Sequence, residues 1–172
     1  MGSHYVKPTA SGMLLFGLVL STSGCASERS TEAREYAVDQ LFLEYESIGD
    51  QLIAQIAPAE LEEEPSFNGR GGGMSSNPFD RNGWPRNTGW GASLVIVPDG
   101  PRTPVEIMNS FEGWLLSQGW RKTAGSPFLE SEGVTARGFS RGDGYVLVVQ
   151  STTNPPPKPQ RIELSVSGKY VN

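Results

Sequence analysis

Histidine occurs once in the 172-residue chain, at position 4, and cysteine once, at position 25. Beyond Cys25 the chain has neither. That excludes Ser-His-Asp and Cys-His nucleophilic catalysis there, and with them the structural zinc sites that draw on Cys and His. No S-x-x-K pair occurs, and the glycine run "NGRGGGM" lacks the Lys-Ser/Thr of a phosphate-binding loop. Long apolar runs are missing as well: Met13 to Leu20 spans eight residues, whereas a helix crossing a bilayer needs about 20. Basic charge is scarce, with 14 Lys and Arg against 19 Asp and Glu for a net charge of −5. Nucleic acid is therefore not expected as a partner, because phosphates call for a basic face. The acidic run "LEEE" lacks the alternating ligands and turn glycine of a calcium loop. Neither a metal nor a cofactor is expected. Carboxylates alone remain for acid–base chemistry.

What the chain does have is a leader. A positive start, a short apolar stretch and small residues before a cut define a secretory signal. Lys7, Met13 to Leu20, and Ser21 to Gly24 supply these in order. The residue after Gly24 is Cys25, and "TSGC" resembles the lipobox of bacterial lipoprotein signal peptides. It departs at Thr22, where Leu is commoner. The resemblance implies that residues 1 to 24 are a lipoprotein signal peptide. It also implies that Cys25 receives a diacylglycerol thioether and further acyl chains such as palmitate. The expected location is the extracytoplasmic face of the cell membrane, with the bilayer as partner through that anchor. Removing the leader takes Lys7 from the 14 basic residues, leaving 13 against 19 acidic, a net charge of −6.

The remaining 148 residues (25 to 172) suit one domain. Residues 25 to 30 read as a polar tether, and 31 to 172 as a single domain. Ser30 or Thr31 can cap a helix over about 31 to 57. Val38, Leu41, Phe42, Tyr45, Ile48, Leu52, Ile53 and Ile56 recur at three- and four-residue steps along it. Residues 58 to 89 have no period and read as a long loop, its first half disordered. "WGASLVIV" (90 to 97) reads as a strand. "TPVE" then opens a second helix through a capping box at Thr103 and Glu106, with Pro104 first in the helix. Val105, Met108, Phe111, Leu115 and Leu116 form its apolar face, and Gly119 stops it. Strand patterns follow at 119–123 with 128–131, 134–141, 145–152 and 161–168. Gly142-Asp143-Gly144 makes a hairpin turn, and "TTNPPPKP" a stiff connection. The expectation is an α+β fold: a mainly antiparallel sheet of four to five strands with two helices packed on one face.

Trp84 and Trp90 flank the loop with Arg81 and Arg86 nearby, and exposed Trp beside Arg stacks on flat ligand faces. These four are the candidate ligand-binding residues, whereas Trp114 and Trp120 belong to packing. "RGD" at Arg141 to Asp143 matches an adhesion tripeptide, but the turn alone accounts for it. The overall plan, with "LLSQGW" at 115–120 and "IELSVSG" at 162–168, is similar to small actinobacterial lipoproteins of unknown function, the mycobacterial LppA-like group among them. Many of those carry two further cysteines that this chain lacks. The expected function is a lipid-anchored, non-enzymatic envelope domain that binds or positions an envelope glycan or protein. The alternative is a carboxylate-driven hydrolase of envelope glycans, with Asp80 and Asp99 as its acid pair.

Overall fold

The structure, a computed structural model, describes residues 23–68, 86–123 and 131–171. In chain order they form α1 (Ser23–Ile53), β1 (Ser66–Asn68), β2 (Arg86–Ile96), α2 (Pro104–Ser117), β3 (Trp120–Thr123), β4 (Val134–Arg141), β5 (Val146–Thr152) and β6 (Gln160–Val171). The strands build one six-stranded sheet in the order β1-β2-β6-β5-β4-β3. Every pairing is antiparallel. Strands β3 to β6 meander back until β6 lies beside β2, and α2 carries the chain from β2 to the far edge. Both helices pack on one face, α1 over β2 and β6, α2 over β5 and β3. The α+β expectation holds, with six strands in place of four to five.

The sheet alternates as a one-sided sheet must. Trp90, Ala92, Leu94 and Ile96 of β2, Ile162, Leu164 and Val166 of β6, Leu147 and Val149 of β5, and Phe139 of β4 share one core with the helices. The opposite face runs through Ser93, Glu163 and Gln150 in one row and Gly91, Ser165, Val148 and Gly138 in the next. Among the described residues no helix is long and apolar enough to cross a membrane.

Helix α1 starts at Ser23, so the expected tether at 25 to 30 has helical backbone, and Ser30 and Thr31 lie inside the helix rather than capping it. Ala26 to Glu35 contains Ala, Glu and Arg with neither Gly nor Pro, and such residues propagate a helix. At the other end Ala54 to Ile56 continue in a tighter turn, the Ile56 N–H donating to the Ile53 carbonyl at 2.9 Å. Tyr45, Ile48, Leu52 and Ile56 are buried as the spacing predicts. Gly49 lies between them, and a Cβ there would meet the Trp90 ring at 2.1–2.5 Å. Gly49→Ala should gain about 1 kcal/mol in helix propensity. Crowding a ring that is itself in the core should cost about 1–3 kcal/mol. Net destabilisation in urea unfolding is the expected result; a gain would show that the indole does not sit on this turn.

The capping box of α2 forms as expected: the Glu106 N–H donates to Thr103 Oγ1 at 3.3 Å and the Thr103 N–H to Glu106 Oε2 at 2.8 Å. Gly119 closes the helix at φ +80°. The apolar face is turned slightly from the expected one, with Ile107 fully buried and Leu116 50 % exposed.

The loop expected at 58 to 89 is corrected over its first third. Pro58–Glu60 form a 3-10 turn. The Glu62 N–H donates to the Val95 carbonyl at 2.9 Å, and the Val97 N–H to the Glu60 carbonyl at 3.0 Å. Strand β1 then pairs with β2. These bonds hold residues 58 to 68 against the sheet, in place of the expected disorder; residues 69–85 lie outside the described residues. So do 128–130 of the strand expected at 128–131, while Ser131 bridges to Val134. The "TTNPPPKP" segment turns instead of running straight, with Lys158 N–H to the Pro155 carbonyl at 3.2 Å and Asn154 Nδ2 to the Pro159 carbonyl at 2.9 Å.

Candidate functional site

Of the four residues expected to bind ligand, the described residues include Trp90 and the backbone of Arg86. Trp90 is 3 % exposed and belongs to the core under α1. Phe67 lies beside it, ring centroids 6.0 Å apart and the planes tilted by 54°. A side chain so enclosed offers no stacking face, and Trp90 is corrected to a packing residue. Arg86 opens β2 opposite Val171. Arg81 and Trp84 lie outside the described residues, as do Asp80 and residues 1 to 22 of the expected signal peptide. Cys25 falls in the first turn of α1. Asp99 sits exposed in the turn that follows β2.

The structure instead draws polar groups together where the β4–β5 hairpin meets α1. The hairpin closes through the Arg141 N–H to the Tyr145 carbonyl and the Gly144 N–H to the Arg141 carbonyl, each at 2.9 Å. That places the Arg141 guanidinium 5.1 Å from the Trp120 ring centroid and 4.6 Å from that of Tyr145. Arg141 Nε donates to both Asp143 oxygens at 3.0 Å, and Nη2 lies 2.9 Å from Oδ2. The Arg141 hydrogen bond holds the Asp143 carboxyl below its usual range. Arginine and aspartate of the "RGD" tripeptide thus pair with each other, and the arginine is spent on two aromatic rings.

Tyr145 carries the cluster to α1. Its ring meets Tyr45 edge-on at 5.1 Å between centroids. Its hydroxyl donates to Glu44 Oε2. Burial first, and then this bond to a carboxylate, push the phenol pKa well upward. Tyr145 therefore stays protonated and donates at neutral pH. Beside this cluster lies a shallow, open depression of about 400 Å³, where Gln40, Glu44, Ser47 and Gln51 of α1 face Arg141. Gln51 Nε2 donates to the Ser47 carbonyl at 3.0 Å and to its Oγ at 3.2 Å. Leu43, 52 % exposed, forms an apolar edge.

Comparison with protein-family models, with curated proteins and with solved structures finds no match. What can be said of function rests on the sequence around Cys25 and on this geometry. Among the described residues no group of three His, Cys, Asp or Glu side chains is placed to hold a metal ion.

A second polar cluster braces the helices. Glu60 is 2 % exposed. Arg102 grips it with two parallel bonds, Nε to Oε1 at 2.7 Å and Nη2 to Oε2 at 2.5 Å. The same guanidinium reaches the Gln55 carbonyl at 3.3 Å and Ser110 Oγ at 3.1 Å. One side chain thereby ties the end of α1 and the 3-10 turn to α2. Sequence reasoning places Glu60 in a solvated loop, yet a signal is present. Ala57-Pro58-Ala59-Glu60 repeats the spacing of Thr103-Pro104-Val105-Glu106. In both segments the glutamate accepts from the N–H three residues back, at 2.9 and 2.8 Å.

Proposed function

We propose that the chain is a lipid-anchored protein of the cell envelope, held through Cys25 at the outer face of the cytoplasmic membrane, with a binding or scaffolding role and no catalytic one. The observation that carries the anchor is Ser23-Gly24-Cys25 two residues beyond the end of an apolar run too short to span a bilayer, in a chain with no other cysteine. Each buried acyl CH₂ contributes about 0.8 kcal/mol, so two or more chains anchor stably where one does not. Kinship with small actinobacterial lipoproteins of the LppA-like kind belongs to the same proposal and rests on "LLSQGW" and "IELSVSG".

Binding rather than catalysis is supported by how the charges beside the depression are used. Arg141 is neutralised by Asp143, and Glu44 already accepts from Tyr145. A general acid or base needs a pKa shifted toward the working pH and a free path to the substrate. Internally paired groups shape a surface instead. Expressed with its leader in a bacterium, the chain should incorporate labelled palmitate and enter the detergent phase. Cys25→Ala should abolish both. Equal labelling of the variant would overturn the anchor.

A further inference from the structure

The depression between α1 and Arg141 carries chemistry that points to a ligand class. Gln40, Ser47 and Gln51 are seven and then four residues apart, so on a 3.6-residue helix they fall in one row along the axis. At a rise of 1.5 Å per residue that row is about 16 Å long. Its groups are two carboxamides and a hydroxyl. Gln51 uses its N–H on Ser47 and leaves its carbonyl oxygen to accept, while the Ser47 hydroxyl can still donate. Each carboxamide or hydroxyl is both donor and acceptor. On one flank Leu43 supplies an apolar surface; on the other Arg141 is paired with Asp143 and Glu44 accepts from the Tyr145 hydroxyl.

We infer that this depression is a binding site for an uncharged glycan chain. A sugar presents hydroxyls that donate and accept around its rim and an apolar ring face, which matches amides and hydroxyl beside Leu43. An anionic ligand would find its one cation, Arg141, taken by Asp143. It would also meet the Glu44 carboxylate in the lining. An extended peptide is recognised largely by backbone pairing at a sheet edge or by side-chain pockets. A helix surface offers no free backbone, since its own ladder consumes it. An open depression beside a row of helix side chains also suits a polymer that passes across it better than a small molecule that must be enclosed.

This assignment deepens the proposed binding role and takes from it only the compartment where such chains occur. Its test is therefore made in solution and does not depend on the anchor. The full chain in mild detergent is titrated with N-acetylchitotetraose, its deacetylated cationic form, or tetragalacturonate as anionic counterpart, and binding is followed by calorimetry and by side-chain amide NMR signals of Gln40 and Gln51. The neutral tetramer should bind best and shift those signals. The Gln40→Ala/Gln51→Ala double variant should keep its melting temperature, as exposed helical alanines allow. It should bind about tenfold more weakly, the equivalent of two lost hydrogen bonds. No binding of the neutral tetramer at millimolar concentration, tighter binding of either charged probe, or an unchanged affinity in the double variant would each overturn the site. Loss of palmitate labelling in Cys25→Ala with glycan binding retained would leave both proposals standing, whereas labelling without glycan binding would remove only this one.

Discussion

Arg102→Ala is expected to destabilise the fold by about 3 kcal/mol, the low end of what breaking a buried ion pair costs. The low end applies because the two partners are unequally enclosed. The Arg102 side chain is 31 % exposed and Glu60 2 %, so water screens the arginine side of the pair. Removing the guanidinium leaves a buried carboxylate with the Ala57 N–H as its remaining donor. Glu60→Gln should cost less, about 1–2 kcal/mol, because the amide oxygen still accepts a bond from Arg102. The two variants separate on pH. Arg102, chiefly through its hydrogen bonds, holds the Glu60 carboxyl below its ordinary value of 4.5, with Ala57 acting in the same direction and burial opposing both. A carboxyl whose folded pKa is depressed takes up protons more readily once unfolded. Its stabilisation is complete above the unfolded pKa and is lost as pH falls through the folded one. Urea midpoints of the native chain should therefore hold above about pH 5 and fall below it. Glu60→Gln should lack that share of the fall. Asp143 shifts in the same sense, but its side chain is 40 % exposed, so Glu60 should dominate. An Arg102→Ala effect within about 0.5 kcal/mol, the range of an ordinary surface change, would mean that the ion pair does not brace the helices.

How much of this is legible in the sequence depends on the range of each interaction. The α2 cap is readable because Thr103, Pro104 and Glu106 are neighbours whose bonds are local. The buried stripe of α1 is readable because helix period and burial agree at Tyr45, Ile48, Leu52 and Ile56. Strands β4 and β5 are readable from β-branched runs bounded by a Gly-Asp-Gly turn. The first strand is not, since Ser66-Phe67-Asn68 has no pattern of its own and is a strand only because β2 supplies its partner. The Glu60–Arg102 pair spans 42 residues. Nothing local marks an arginine that will reach back that far. The cluster at Arg141 is hidden from the sequence for a related reason. Among the described residues Arg141 lies over two aromatic rings, and its partners Trp120 and Tyr145 are brought to it by β3–β4 pairing and by the β4–β5 turn. The depression itself is made by a helix row that reads in the sequence only as the polar side of α1.

The other large effect lies in α2, where two apolar residues five positions apart should behave as different kinds of residue. Phe111 is fully buried, in the same core cluster as Tyr45 and Leu147. Phe111→Ala should cost about 3–5 kcal/mol, from lost transfer free energy and from the cavity that neighbours fill only in part. Alanine's better helix propensity returns about 0.5 kcal/mol at most, so the loss stays large. Phe111→Leu keeps most of the volume and should cost less than about 1.5 kcal/mol. The spacing predicts Leu116 on the same apolar face, yet a residue advances about 100° around the axis. One step beyond the buried Leu115 it is already 50 % exposed. Leu116→Ala should therefore stay within about 0.5 kcal/mol of the native chain. Guanidinium unfolding of the three variants tests the orientation of α2 on the sheet. Comparable losses at 111 and 116 would mean that the helix is rotated from the position described, with Leu116 and not Ile107 turned toward the core.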